Sequence, residues 1–292
     1  MVENRKGYNI LIHTVMVILC VLCLAPFVLL ISASFSSENS LIAGGYFFWP
    51  KEFSTVAYEY LLTGGSVIRA YGVTIILTVV GTAINLLITT LIAYPLSVKE
   101  MPGRNVFNFI VFFTMLFAGG LVPTYMMWTQ IFHIKNTFAA LLFPSLLTNG
   151  FTIMMMRSYF QANIPTEVLE SARMDGAGEV YILFKIVMPM SLPIVATIGL
   201  MAGIGYWNDW NNNLYYITDP NLNSIQGLLN RMLTNAQYLK QAASIGNVGT
   251  SAVPTTSVRM AVAVLGAVPI LCIYPFFQKF FVKGMTIGAV KG

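Results

Sequence analysis

The chain has 292 residues, of which 57% are apolar and only 9% charged, with a net charge of +5. Soluble domains of this size carry about 25% charged residues, so a water-facing globule is a poor fit and a disordered chain a worse one. Three Cys are too few for a disulfide scaffold, and a small, scattered basic excess argues against a nucleic-acid binder.

Crossing the hydrocarbon core as a helix takes roughly 20 apolar residues. Six runs meet that length in chain order: 11–33, 71–96, 106–128, 137–159, 192–210 and 257–281. Helices are required because backbone N–H and C=O groups cannot stay unpaired in lipid. The predicted fold is therefore all-α, a polytopic membrane protein with six transmembrane helices in a single domain over 1–292. The first run follows Arg5 and Lys6 and ends on Ser32-Ala33-Ser34, a loose cleavage site. Signal peptides have apolar cores of about 7–15 residues, and this run is longer, so it reads as an uncleaved span. Cys20, Cys23 and Cys272 fall within spans. The Cys-x-x-Cys spacing can serve metal or redox chemistry, but no His lies beside it, and small apolar filler is the better reading. His13 and His133 fall on opposite faces and assemble no metal site.

Lys and Arg placement orients the spans. With the N-terminus inside, ten of the sixteen basic residues lie on the inner segments or span ends, among them Lys99, Arg104, Arg157, Arg173 and Lys185. The six outer ones are spread over longer loops. Both termini are then cytoplasmic.

Two outer loops stand out. The first, 34–69, carries Tyr46-Phe47-Phe48-Trp49 before Pro50, which reads as an interfacial belt, with sugar stacking as the alternative. The second, 211–256, repeats Ile225, Leu228, Leu229, Met232 and Leu233 at helical spacing. That stripe needs cover from headgroups, the fold or a partner. Beyond it, 242–249 is small and uncharged, suiting a loop tip.

Between the fourth and fifth runs lies a cytoplasmic loop, 161–190. Asn163 is placed to cap a helix and Pro165 to open it, with Glu167 and Glu170 near the positive end of the dipole. Val168, Leu169 and Ala172 share one face, and Gly176 and Gly178 stop the helix. A second helical stretch, 179–187, runs to Pro189. The product is a helix–turn–helix in water that can press into a groove on a partner or serve as a plain connector.

Here the sequence resembles a known family. Glu170-Ser171-Ala172, three residues, Gly176, nine residues, then Ile186-Val187-Met188-Pro189 is similar to the EAA loop of ABC importer permeases, with Ser171 replacing Ala and Met188 replacing Leu. The stretch 116–125 and the tail 281–292 resemble the carbohydrate-uptake branch, specifically the second, six-span permease of maltose-type systems that handle oligosaccharides. The resemblance implies a permease of the bacterial cell membrane, in an ATP-driven importer of oligosaccharides. It implies a second permease subunit as heterodimer partner, two cytosolic ATPase subunits gripping the EAA loops, and an extracytoplasmic sugar-binding protein. Glu170, Ser171, Ala172, Asp175, Gly176 and Pro189 would then couple the ATPases to transport. The chain is accordingly expected not to be an enzyme. It has no phosphate loop, and no Gly is followed directly by Lys, so no cofactor is expected in this chain. ATP and Mg would sit in the partner ATPase subunits. For the substrate pathway the candidates are Trp207, Asn208, Asp209, Trp210 and Asn211, where rings beside amides and a carboxylate suit a sugar. The competing reading is an interfacial belt with a polar cap. Asn85 either faces the pathway or bonds a neighbouring helix. The rival class is a self-contained secondary transporter or channel, for which only Asp209 approaches the needed intramembrane charge.

Overall fold

The computed structural model describes residues 6–63, 65–144, 146–244 and 256–289. Every regular element among them is helical, apart from one isolated antiparallel bridge between Ser36 and Phe53. The described residues pack as two compact units, one drawn from 1–68 and 229–269, the other from 69–228 and 270–292.

In the first unit, α1 (Lys6–Ser34) has an apolar stretch, Tyr8–Ser34, uncovered along most of its length and buried only at its end, at Ser32, Ala33 and Ser34. A helix apolar all round and uncovered suits lipid. Two short helices follow, α2 (Glu38–Gly44) and α3 (Val56–Thr63). They are tied to the end of α1 by Phe35, which stacks on Phe53 and on Tyr58, and by a 2.8 Å hydrogen bond between Ser34 and the Tyr58 hydroxyl. Between α2 and α3, Trp49 stands 84% exposed.

The carboxylate of Glu38 caps the last helix, α15 (Thr256–Ala289): it accepts from the backbone N–H of Thr256 at 2.9 Å and of Ser257 at 2.8 Å, and from the Ser257 hydroxyl at 2.8 Å. These donors are the unpaired ones of a helix start. Burial pushes the Glu38 carboxyl upward, but the Ser257 and Thr256 hydrogen bonds outweigh it and hold its pKa below the ordinary 4.5. A depressed carboxylate stabilises the fold above its unfolded pKa, and that contribution fades as pH falls through the lower folded value. Glu38→Ala is expected to cost about 1 kcal/mol at neutral pH. Thermal unfolding of wild type and variant should differ at pH 7 and converge in acid.

The second unit contains most of α4 (Ser66–Ser97), the helices of the middle of the chain, and α12 (Leu192–Trp207). On α4, Gly81 lets another helix approach closely. A Cβ there would lie 2.5 Å from Cζ of Tyr206, whose side chain is fully buried and whose hydroxyl donates to the Leu142 carbonyl at 3.0 Å. Around this point Leu77, Leu141, Tyr206, Tyr216 and Ile217 form one apolar cluster. A second cluster, with Tyr94, Met156, Phe160, Ala172, Ile182 and Val187, lies under the loop 161–190.

By length and composition, α1 from Tyr8 and α4 can each cross a membrane as single helices. Of the remaining runs, 257–281 lies within the single helix α15 and 192–207 forms α12, whereas the other two depart from the straight spans expected. Run 106–128 is split into α5 (Arg104–Leu116) and α6 (Leu121–Met126), the latter continued by a π turn, Met127–Ile131. The two pieces meet at 111°, and Gly120, at φ +83°, sits at the break. Run 137–159 is split into α7 (Phe138–Leu142) and α8 (Gly150–Asn163). Pro144 falls between them, and the Asn149 side chain caps α8 by accepting from the Phe151 N–H at 2.8 Å. In the loop 161–190, α9 (Thr166–Met174) is followed by α10 (Glu179–Ile182), a π turn (Leu183–Val187) and α11 (Met188–Met190). This last group meets α12 at 87°. Past α12 come α13 (Asn211–Tyr216) and α14 (Ile225–Ser244). On α14, Ile225 and Leu229 are buried while Leu233 is 40% exposed, so part of the expected stripe is covered. The expected loop tip lies outside the described residues from 245 onward, as does the end of the tail from 290.

Candidate functional site

The loop 161–190 is a compact hairpin. Its first helix begins differently from the sequence expectation. Asn163 closes α8 and donates back to the Tyr159 carbonyl at 3.0 Å, while Pro165 occupies the N-cap position of α9. Pro has no N–H to lose there, and its fixed φ suits the entry. Glu167 stands in the first turn and Arg173 in the last, both favoured by the helix dipole.

The C-terminus of α9 closes as a Schellman motif. The Ala177 N–H donates to the Ala172 carbonyl and the Gly176 N–H to the Arg173 carbonyl, both at 3.0 Å. Gly176 sits at φ +82°, in the left-handed region that glycine enters without strain. A Cβ there would meet nothing within 4 Å, so the need for glycine is one of backbone conformation alone. Ala172 is 8% exposed and packs inward, whereas Glu170, Ser171, Asp175, Gly176 and Pro189 are exposed. Met174, Val180 and Tyr181 are also exposed, at 82%, 70% and 59%, so the hairpin presents an apolar edge beside its acidic one.

Three residues not singled out from the sequence hold the hairpin. Arg173 Nε donates to Glu179 Oε1 at 2.7 Å, and the hydroxyl of Tyr94, near the end of α4, donates to Glu179 Oε2. Arg173 and Glu179 are six apart, outside the helical i, i+3 and i, i+4 pairings. Only the turn between α9 and α10 brings them together. The Arg173 hydrogen bond, with help from Tyr94 and against burial, holds the Glu179 carboxyl below its ordinary pKa. Beside this network lies a cleft of about 270 Å³, lined by Tyr94, Ser97, Lys99, Phe160, Thr166, Glu170 and Arg173 among others.

At the other end of α12, the five pathway candidates do not share one surface. Asn208, Trp210 and Asn211 are exposed, but Trp207 and Asp209 are buried at 6% and 9%. Asp209 Oδ1 accepts from the Asn212 N–H at 3.2 Å, and its Oδ2 has no partner among the described residues. Asn212 and Asn213, which follow the candidates, are braces. Asn212 Nδ2 donates to the Pro144 carbonyl at 2.8 Å, and Asn213 accepts from the Ser224 N–H at 2.8 Å while donating to Asn223 at 3.1 Å. Asn85 takes the neighbour-bonding role: it is 4% exposed, and its Nδ2 donates to the carbonyls of Leu146 and Leu147 at 2.9 and 3.1 Å.

The geometry is that of an all-helical chain with helices long and apolar enough to cross a membrane and an exposed hairpin leading into α12. The comparisons agree with that class. Residues 73–287 match the family described as the binding-protein-dependent transport system inner membrane component. Protein LplC of Bacillus subtilis is 39% identical over 91% of this chain and 89% of its own length. The polygalacturonan/rhamnogalacturonan transport system permease protein YtcP of the same organism is 34% identical over 99% of this chain and 100% of its own. The crystal structure of a bacterial ABC transporter involved in the import of the acidic polysaccharide alginate contains a chain with a TM-score of 0.81. That chain is 26% identical, and the match covers 96% of this chain and 99% of that one. The chain therefore belongs to the family of inner membrane components of binding-protein-dependent transport systems.

Proposed function

We propose that the chain is one of two permease subunits of an ATP-driven importer of oligosaccharides, with six crossings and both termini in the cytoplasm. The observation that carries this reading is the 161–190 hairpin, a rigid two-helix element closed by a left-handed Gly176, held to α4, and leading directly into α12. In this reading Glu170, Ser171 and Asp175 face the ATPase subunits, Ala172 seats the hairpin on its own core, and Gly176 sets its bend. Pro189 stands where the hairpin turns into α12, so a push on the hairpin reaches the span. ATP and Mg are held by the partner ATPase subunits, and movement of the hairpin biases the permease pair between outward-open and inward-open forms. A binding protein delivers the sugar on the outer side, where Asn208, Trp210 and Asn211 are exposed and Trp207 and Asp209 give the wall its shape.

Transport names among the relatives support a carbohydrate. The YtcP name and the alginate title both point to polysaccharides, and the aromatic–amide stretch fits such a substrate. The test is affinity purification of the tagged full chain from its native membrane, followed by vesicle uptake of labelled neutral and uronic-acid oligosaccharides. A second permease and an ATPase are expected to co-purify, and uptake should require ATP. Uptake by this chain alone without nucleotide would overturn the reading in favour of a self-contained carrier.

A further inference from the structure

The end of α4 that the orientation above places in the cytoplasm gathers two arginines that pair with no carboxylate among the described residues. Arg104, the first residue of α5, and Arg157, on α8, each donate Nε–H to one and the same acceptor, the Leu96 carbonyl, at 2.9 and 3.0 Å. That carbonyl belongs to the last turn of α4, whose C=O groups lack intrahelical partners and carry the negative end of the dipole. It explains where the two Nε–H groups go, but partial charge at a helix end does not neutralise two full positive charges. Neither Arg104 nor Arg157 has a carboxylate within 4.0 Å among the described residues. Among the described residues, the Nη groups of Arg104 make no hydrogen bond and those of Arg157 reach only the Met154 sulfur, at 4.0 Å. Both side chains are half-buried.

Two guanidiniums fixed on one oxygen repel each other, and their planar forks hold several unused donors. An anion with several oxygens answers both conditions, and phosphate matches the fork geometry. Position decides its source. The pair lies at the end of a 32-residue apolar helix. α5, which starts at Arg104, has no buried residue, and exposes Phe107, Ile110 and Phe113 at 51%, 49% and 45%. A headgroup phosphate on the arginines would leave its acyl chains against that apolar helix, whereas a free phosphate makes no use of it. Basic pockets between membrane helices on the cytoplasmic side are known to take anionic headgroups.

We propose that Arg104 and Arg157 together bind the phosphate of an anionic phospholipid at the cytoplasmic end of α4. The site rests on the orientation in the reading above, but not on transport, because lipid retention is read without sugar or nucleotide.

The test uses the full chain with its co-purifying subunits in nanodiscs of phosphatidylcholine, with or without phosphatidylglycerol, and native mass spectrometry of the lipids retained. Wild type should retain phosphatidylglycerol over phosphatidylcholine, and the R104Q/R157Q variant should lose that excess about tenfold, in line with the pull of two cationic side chains on an anionic headgroup. R104K/R157K, which keeps the charge without the fork, should fall between them. Equal retention of both lipids by wild type would overturn the proposal, as would unchanged retention in the double glutamine variant. Displacement of phosphatidylglycerol by millimolar inorganic phosphate would instead define a free-anion site and overturn the lipid assignment. Should the glutamine variant fail to stay folded, wild type and the lysine variant alone decide the question: equal phosphatidylglycerol retention by the two rejects the fork.

Discussion

Gly176→Pro is expected to leave the chain in the membrane while lowering ATP-driven oligosaccharide uptake by roughly a hundredfold. Proline holds φ near −65°, and the native value here is +82°. It also lacks the N–H that Gly176 donates to the Arg173 carbonyl at 3.0 Å. Losing the turn and the bond together costs about 3 kcal/mol or more of the hairpin's native geometry, and each 1.4 kcal/mol is a factor of ten. The apolar helices that retain the protein in lipid do not depend on this turn, so its amount in the membrane should hold. Because a Cβ at 176 would meet nothing within 4 Å, the effect should follow backbone strain and not side-chain size. Gly176→Asn, which tolerates the left-handed region, should retain most uptake, and Gly176→Val should lie between asparagine and proline. Measuring uptake against membrane abundance across the three variants checks this ordering. Equal uptake in the proline variant and wild type would remove Gly176, and with it the bent hairpin, from the coupling path.

The long apolar helices were legible because their signal is additive. Most residues of α1 and α4 argue for the same state, and the prolines within them, Pro26 and Pro95, do not outweigh the rest. The broken runs were less legible because a hydropathy window records composition and not direction. Residues 106–128 are mostly apolar on both sides of the break, and the Gly119-Gly120 pair lets the chain turn by 111° with little change in apolarity. Pro144 and the Asn149 cap act in the same way between α7 and α8. Local chemistry served better in the hairpin, where the stop at Gly176 and the inward face of Ala172 follow from spacing alone. Asn163 misled, since the same side chain that can cap a helix start can also bond back one turn to close the helix before it. The stretch 206–213 shows a different limit. Aromatic rings and amides side by side suit a sugar or an interior equally, and only tertiary structure tells that Trp207, Asp209, Asn212 and Asn213 face in while Asn208, Trp210 and Asn211 face out.

What spacing could not reveal at all is the link between the hairpin and α4, and it carries the second large effect. Tyr94 is 5% exposed, its hydroxyl donates to Glu179, and Glu179 also accepts from Arg173. The ion pair by itself is half in water, its side chains 33% and 55% exposed, and such pairs contribute little. The Tyr94 bond is partly buried and made to a charged acceptor, a class contributing about 1.5–3 kcal/mol. It is also a polar contact between the hairpin and a long apolar helix, so under the proposed function its loss should let hairpin motion be absorbed locally. Tyr94→Phe keeps the ring in its cluster and removes only the hydroxyl, and is expected to lower the sugar carried per ATP hydrolysed by about tenfold or more, with ATP hydrolysis itself largely retained. Glu179→Gln, which keeps an acceptor for Tyr94 but gives up its charge, should lose less. In the double variant the two losses should fall short of their sum, because both changes act on one bond. Uptake and hydrolysis measured together in proteoliposomes provide the ratio for all four proteins. Fully additive losses, or a Tyr94→Phe ratio equal to wild type, would show that the hairpin drives the spans through its apolar packing alone.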